Sequence, residues 1–205
     1  FISASAEGYL AQLAALGTSG EKQGHLALIG DTPSFDILPA MERRVDVDTL
    51  QKLLKATRGK LSLEINYQSL SSESPGWRRI SPHALVSDSM RWHVRAYCHT
   101  KKQFRDFVLG RIINIRNEQP SEVSGIEDAE WSEIVSVSIA PNPALSANQQ
   151  KIIERDYSMK QGKAVILVRK ALLFYLKQQL KIDDGDEKPP AAQQVVIVDV
   201  KDNGV

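Results

Sequence analysis

The chain has a single cysteine, Cys98, among 205 residues. It can therefore form no internal disulfide and offers no cysteine-built zinc centre. Aromatic residues make up only 6% of it, and no apolar run approaches the roughly 20 residues that would cross a bilayer. The opening stretch, FISASAEGYLAQLAAL, has no basic run and carries Glu7 early, so it is not expected to be a secretory signal. Signatures of catalysis are missing too: there is no GxSxG, no HExxH and no phosphate-cradling glycine loop. His83, His93 and His99 are not at a metal-ligand spacing. The DDGDE run lacks the spaced ligands and closing Glu of a calcium loop, and reads as solvated. The expectation is a cytoplasmic protein that is no enzyme and carries no cofactor or metal.

What the chain does have is uneven charge. Its formal net charge is only +1, but Arg78 to Arg116 holds nine of the 26 Lys and Arg residues and three of the four histidines. Against these stand two carboxylates, Asp88 and Asp106, a local surplus of seven positive charges. Arginine and histidine gathered on one segment of a folded scaffold are the footprint of a phosphate or another polyanion. The bland alternative is a row of solvated arginines on strand surfaces.

Periodicity places that segment in a sheet. Leu61, Leu63, Ile65 and Tyr67 alternate with polar residues in LSLEINYQ, the pattern of a half-buried strand. SLSSESPG reads as a turn. WRRISPHALVSD is a second strand interrupted by Pro82, RWHVRAYC a third, and FRDFVLGRIINIR one or two more, with Gly110 at a bend. The pattern predicts a mixed fold whose centre is a small antiparallel β-barrel at 61–118. Residues 1–60 read as a helical linker: one helix from Ser5 to Leu16, HLALIG and a turn, then DTLQKLLKATRGK capped by Asp48 or Thr49 and stopped by Gly59. After Glu118 the acidic QPSEVSGIEDAEW lacks apolar periodicity and reads as a linker. Residues 131–205 read as a second, α+β unit in the order β-α-β-α-β, with Ser146 capping its first helix and AVILVRK as a buried strand.

In RWHVRAYC, alternation puts Trp92, Val94, Ala96 and Cys98 on a core face. Arg91, His93, Arg95 and Tyr97 then form a basic, aromatic face. If the strands are neighbours, Tyr67, Ser69, Arg79, His83, Arg95, Arg105 and Arg111 converge on one side. Arg offers bidentate donors to phosphate, and Tyr and His offer stacking faces for bases. Arg78 and Arg79 point opposite ways, so only one of them reaches such a site. Glu64 and Asp106 are candidate ion-pair partners that hold arginines in place, whereas Glu127, Asp128 and Glu130 pair with no basic cluster.

The ordered pieces INYQS, WRRISPHALV, RWHVRAYC and FRDFVLGRI resemble the WYL domain of bacterial transcriptional regulators. The family's naming triplet falls on Trp92-His93-Val94, where only the Trp is kept and His93 stands for the usual Tyr. The resemblance implies an Sm-like or SH3-like five-stranded barrel. It also implies that Tyr67, Ser69, His83, Arg95, Arg105 and Arg111, with Arg79 nearby, stand where the family carries its ligand pocket, thought to sense nucleotides or nucleic-acid fragments. Residues 131–205 resemble the family's C-terminal extension, which implies a homodimer. Residues 1–20 resemble the end of a winged helix-turn-helix, which implies that operator DNA is met by a domain upstream of Phe1. The nearest-looking subgroup is the dimeric repressors of phage-defence operons. Beside effector sensing stand two rivals: a plain nucleic-acid-binding module, and a scaffold whose arginines meet an acidic protein surface.

Overall fold

A computed structural model describes residues 6, 8–11, 43–182 and 189–202. The expectations for residues 12–42, and for the DDGDE run as a solvated loop, lie outside these. The chain divides into two units, Phe1–Arg43 and Arg44–Val205. In the first, Ala6 and Gly8–Ala11 are helical, within the helix expected from Ser5.

The second unit begins with helix α1 (Val47–Arg58), capped by Asp46, whose carboxylate accepts from the Thr49 amide at 2.8 Å. The cap thus falls two residues before the expected Asp48, because Asp48 lies inside the first turn and pairs with Lys52 instead. Leu53 and Ala56 of α1 are fully buried in the core of the adjoining sheet, with Leu63, Ile65, Ile80, Val94, Cys98 and Phe107. Each large apolar side chain withdrawn from water there contributes about 1.5–3 kcal/mol. A helix read as part of a linker is thereby a structural wall of the sheet.

Five antiparallel strands follow: β1 (Leu61–Tyr67), β2 (Gly76–Ser87), β3 (Trp92–Cys98), β4 (Gln103–Val108) and β5 (Ile112–Pro120), in the order β4-β3-β2-β1-β5. The strand pairing shows no closed barrel. The sheet is open, with β4 and β5 as its edges and a 3-10 turn, Leu109–Arg111, joining them. It curls nevertheless: the Val108 amide donates to the Tyr67 hydroxyl at 3.3 Å, and the Gln68 amide to the Arg111 carbonyl at 3.1 Å. Strand β2 runs straight through Pro82, and its register against β3 shifts between Pro82 and Ala84. A proline has no amide to give to a ladder, so a bulge is where a strand tolerates one.

Val94, Ala96 and Cys98 face the core as alternation requires, but Trp92 does not. It is 52% exposed at the strand's start, just after the Asp88–Arg91 turn. Residues 121–133 carry a 3-10 turn, Gly125–Glu127, and a single-turn helix α2 (Ala129–Ser132), capped by Ser124 and Asp128. The C-terminal unit then runs β6 (Ile134–Pro141), α3 (Ala147–Asp156), β7 (Ala164–Arg169), α4 (Leu173–Gln179) and β8 (Val195–Asp202). Ser146 caps α3 in a reciprocal capping box with Gln149, as the sequence suggests. The three strands form an antiparallel sheet in the order β7-β6-β8. AVILVRK is an edge strand rather than a buried one, and only every second residue of it turns inward. Ala164, Ile166 and Val168 pack on the core of Val135, Val137 and Ile139, while Val165 and Leu167 stay outside.

Candidate anion-binding site

Antiparallel partners share a face of the sheet, so the register sorts the basic residues. Ile65 pairs with Arg78, Ala96 with Arg105, and Val94 with Phe107, which puts Arg78 and Arg105 on the same face as the core. Glu64 pairs with Arg79, and Arg95 with Asp106, which puts Arg79 and Arg95 on the opposite face. The seven candidate residues therefore do not gather on one side. They divide into three groups.

The first group sits where the sheet curls. The Tyr67 ring meets Phe107 edge-on at 5.2 Å, and the Arg78 guanidinium lies 5.6 Å from the Tyr67 centroid. Arg111 is carried by the turn whose carbonyl is bonded to Gln68, and Ser69 follows one residue later with its hydroxyl bonded to Ser71 at 2.7 Å. Arg105 is exposed on β4, two residues before Phe107 on the same face. Among the described residues no ion pair involves Arg78, Arg105 or Arg111.

The second group belongs to Arg79. Its guanidinium donates to Glu64 at 3.1 Å, to the Ser62 hydroxyl at 3.3 Å and to the Asn117 carbonyl at 3.2 Å. Glu64 also accepts from Arg116 at 2.9 Å and from Asn117 at 2.8 Å. The hydrogen bond from Arg116, with those from Asn117 and Arg79, holds the Glu64 carboxyl below its usual range. Arg116 in turn stacks on Trp77, 3.7 Å from the ring centroid. This is a satisfied surface network with Glu64 as its centre, the role expected of that residue.

The third group is a buried ion cluster. Arg95, 4% exposed, donates through Nε to Asp128 Oδ2 at 2.7 Å and through Nη2 to Asp128 Oδ1 at 3.0 Å. It also reaches Glu130 at 3.0 Å and Asp106 at 3.5 Å. The His83 ring nitrogen Nε2 lies 3.0 Å from Asp128 Oδ2. Asp128 and Glu130, expected to pair with no basic cluster, are the main partners of the most buried arginine in the sheet. Burial would raise the Asp128 carboxyl, but the paired Arg95 guanidinium outweighs it and holds the group below the usual carboxylate range. Burial would lower Arg95, and the same carboxylates more than restore its charge. Burial outweighs the neighbouring Asp128 carboxylate and lowers His83.

The cluster extends toward the C-terminal unit. The Tyr175 hydroxyl on α4 donates to Asp106 at 2.9 Å, and the Tyr175 ring lies 5.0 Å from that of His93. His93 Nε2 is 2.9 Å from Asp88 Oδ2. Burial opposes the charge on Asp88, yet hydrogen bonds from His93, Arg91 and the Met90 amide hold it far below the ordinary range. The residue standing for the family's Tyr is thus a buried bridge between the β2–β3 turn and α4. Alternation separates two faces without saying what packs on either, so the cover on this face is not legible from it.

A cleft of about 380 Å³ opens beside His83, between α1 and residues 121–132. Lys60, Ser121, Ser132 and Trp131 line it. Among the described residues no group of three or more His, Cys, Asp or Glu side chains could hold a metal, and no helix is long and apolar enough to cross a membrane.

Comparison with known proteins defines the class. Residues 48–117 match the WYL domain, and residues 134–203 match the C-terminal dimerization domain of the BrxR transcriptional regulator. The chain belongs to the WYL-domain proteins of the kind that carry this BrxR-type C-terminal domain. It is 41% identical over 158 residues to the DNA-binding transcriptional repressor CapW of Pseudomonas aeruginosa, covering 76% of this chain and 53% of that one. It is 34% identical over 174 residues to CapW of Stenotrophomonas maltophilia, covering 84% and 58%, and 35% identical over 161 residues to CapW of Escherichia coli, covering 78% and 54%. The chain spans a little more than half the length of these curated relatives.

Proposed function

We propose that this chain is the effector-sensing and dimerising part of a cytoplasmic, DNA-binding transcriptional regulator, with a nucleotide or short nucleic-acid fragment as its effector. The observation that carries the reading is the contrast among the arginines. Arg79, Arg95 and Arg116 pair with carboxylates, whereas Arg78, Arg105 and Arg111 have no ion pair among the described residues, and the Arg78 guanidinium lies 5.6 Å from the Tyr67 ring centroid. Arginines with an aromatic ring among them suit phosphate and base together. The curl of the sheet between Tyr67 and Val108 supports an Sm-like frame for that corner. The match of residues 134–203 to a dimerization domain supports a homodimer, and the curated relatives support operator DNA as the final target.

Calorimetry against mononucleotides, cyclic nucleotides and short single-stranded DNA and RNA, at two salt concentrations, tests it. Saturable binding of one species, lost in Arg105→Ala and Tyr67→Ala, is the expected result. Equal, steeply salt-dependent binding of every oligomer would favour a plain nucleic-acid module instead. No binding would move the site to a protein partner.

A further inference from the structure

Trp131 is held from two sides. Its ring meets that of His83 on β2 nearly at right angles, with the centroids 5.7 Å apart. The Arg169 guanidinium, at the end of β7, lies 4.6 Å from the Trp131 ring centroid and also donates to the Trp131 carbonyl. The residues on either side of Trp131 divide in the same way. Upstream, Ser121 is bonded to Ser81, and Asp128 and Glu130 to Arg95, all on the first sheet. Gly125 packs directly on His83, where a Cβ would meet the His83 Cβ at 2.6 Å. Downstream, the Glu133 carbonyl accepts from the Lys170 amide at 2.9 Å and its carboxylate from the Lys170 ammonium at 2.9 Å. Lys170 reaches on to Asp202 of β8. Trp131 thus stands where the contacts of the two matched domains meet.

Arg169 also belongs to a row on β7. Val165 pairs with Ser138, Leu167 with Ser136 and Arg169 with Ile134, so Val165, Leu167 and Arg169 share the outward face of an edge strand. Val165 and Leu167 are exposed and Arg169 is half-buried. The row lies within residues 134–203, which match a dimerization domain. A partner chain covering Leu167 comes within about 7 Å of Arg169, two residues along the strand. Water excluded there strengthens both the cation–π contact and the hydrogen bond to Trp131.

We propose that Arg169 and Trp131 couple dimerisation to the seating of the C-terminal domain on the first sheet. A second copy of this chain covering Val165 and Leu167 tightens the Arg169–Trp131–His83 column, and a tight column favours the dimer by the same factor. Trp131 is a positioning residue, acting through Arg169 on a row to which it does not belong. The bond from Tyr175 to Asp106 is separate, so loosening the column leaves the two domains joined. The inference rests on the reading that residues 134–203 form a homodimer, and it adds that the dimer's strength is set partly outside its own surface.

The test is sedimentation equilibrium of the wild-type chain, Trp131→Ala, Arg169→Ala and the double variant. Each single substitution is expected to raise the dimer dissociation constant about tenfold. The double variant is expected to be no weaker than either single one, because both break the same contact, whereas independent packing defects would add. Hydrogen–deuterium exchange over residues 121–133, at protein concentrations above and below the dissociation constant, reads the coupling in the other direction. Exchange there should be faster in the monomer, with strand β1 unchanged. That comparison needs no variant and serves if Trp131→Ala fails to fold. A folded Trp131→Ala with the wild-type dissociation constant overturns the coupling, as do single losses that add in the double variant or exchange indifferent to dimerisation. A wild-type chain that is monomeric at every concentration overturns the dimer reading itself, and the coupling with it.

Discussion

The hydroxyl of Tyr175 on α4 donates to Oδ2 of Asp106 on β4 at 2.9 Å, a bond between residues 69 apart in sequence that pins the C-terminal domain to the sheet. Tyr175→Phe keeps the ring against His93 and removes only this bond. A hydrogen bond to a charged acceptor contributes about 1.5–3 kcal/mol, so urea unfolding should show a loss near the lower end of that range. Burial, with the charge of Asp106, raises the Tyr175 phenol. A raised acid stabilises the fold fully below its unfolded value, about 10, and that stability is lost as pH rises through the folded value. Absorbance titration of tyrosinate should find one phenol ionising well after the others, absent in the Phe variant.

Arg95 carries a different kind of prediction. Replacing it with Leu strands Asp128, nearly inaccessible, without a cation. Breaking a buried pair from one side costs about 3–5 kcal/mol, much of it the stranded charge rather than the lost attraction. The double variant Arg95→Leu/Asp128→Leu removes both charges, and denaturant titration should show it more stable than Arg95→Leu alone. A double variant as unstable as the single one would mean that the cluster acts through shape rather than charge.

These contacts explain what the sequence could and could not reveal. Alternation in LSLEINYQ and RWHVRAYC was enough to place the strands and, Trp92 apart, the core face, because period two leaves few other readings. It could not show that the second face of β3 is covered, since the cover comes from Asp128, Glu130 and Tyr175, between 33 and 82 residues away. The positive surplus of Arg78–Arg116 was real as a count. Much of it is cancelled by Glu64, Asp128 and Glu130, all outside the segment counted. The α1 stripe of Leu50 and Leu53 looks the same on a linker helix as on a wall of the core. Only the burial of Leu53 and Ala56 decides between them.

Acid should weaken the fold in two stages. Burial lowers His83, and burial together with the charge of Arg79 lowers His99. The unfolded chain takes up those protons as pH falls past about 6.5, and the folded chain only further down. Stability is therefore full above that pH and falls below it. Asp128, Asp88 and Glu64, all held low, add their loss only at more acidic pH, as it falls through their folded values. Melting temperature followed from pH 8 to pH 5 should decline. The decline should shrink in His83→Gln and shrink again when His99→Gln is added. An unchanged slope in both would place its origin elsewhere.

The dimer prediction falls on the outward side of the C-terminal sheet. Ser136 pairs with Leu167, and Ser138 with Val165, so these four side chains share the face turned away from Val135, Val137 and Ile139. Val165 is 62% and Leu167 66% exposed, on a strand whose far edge is unpaired within the described sheet. An exposed apolar row on an unpaired edge strand is a surface that a second chain can cover. The wild-type protein should run as a dimer in light scattering behind size exclusion. Leu167→Glu places a charge in that row without disturbing the core, so it should yield a monomer whose melting temperature falls only by the dimer's concentration-dependent contribution. A Leu167→Glu protein that remains dimeric at every concentration would move the interface to the helices, where Phe174 of α4 is the next large exposed side chain.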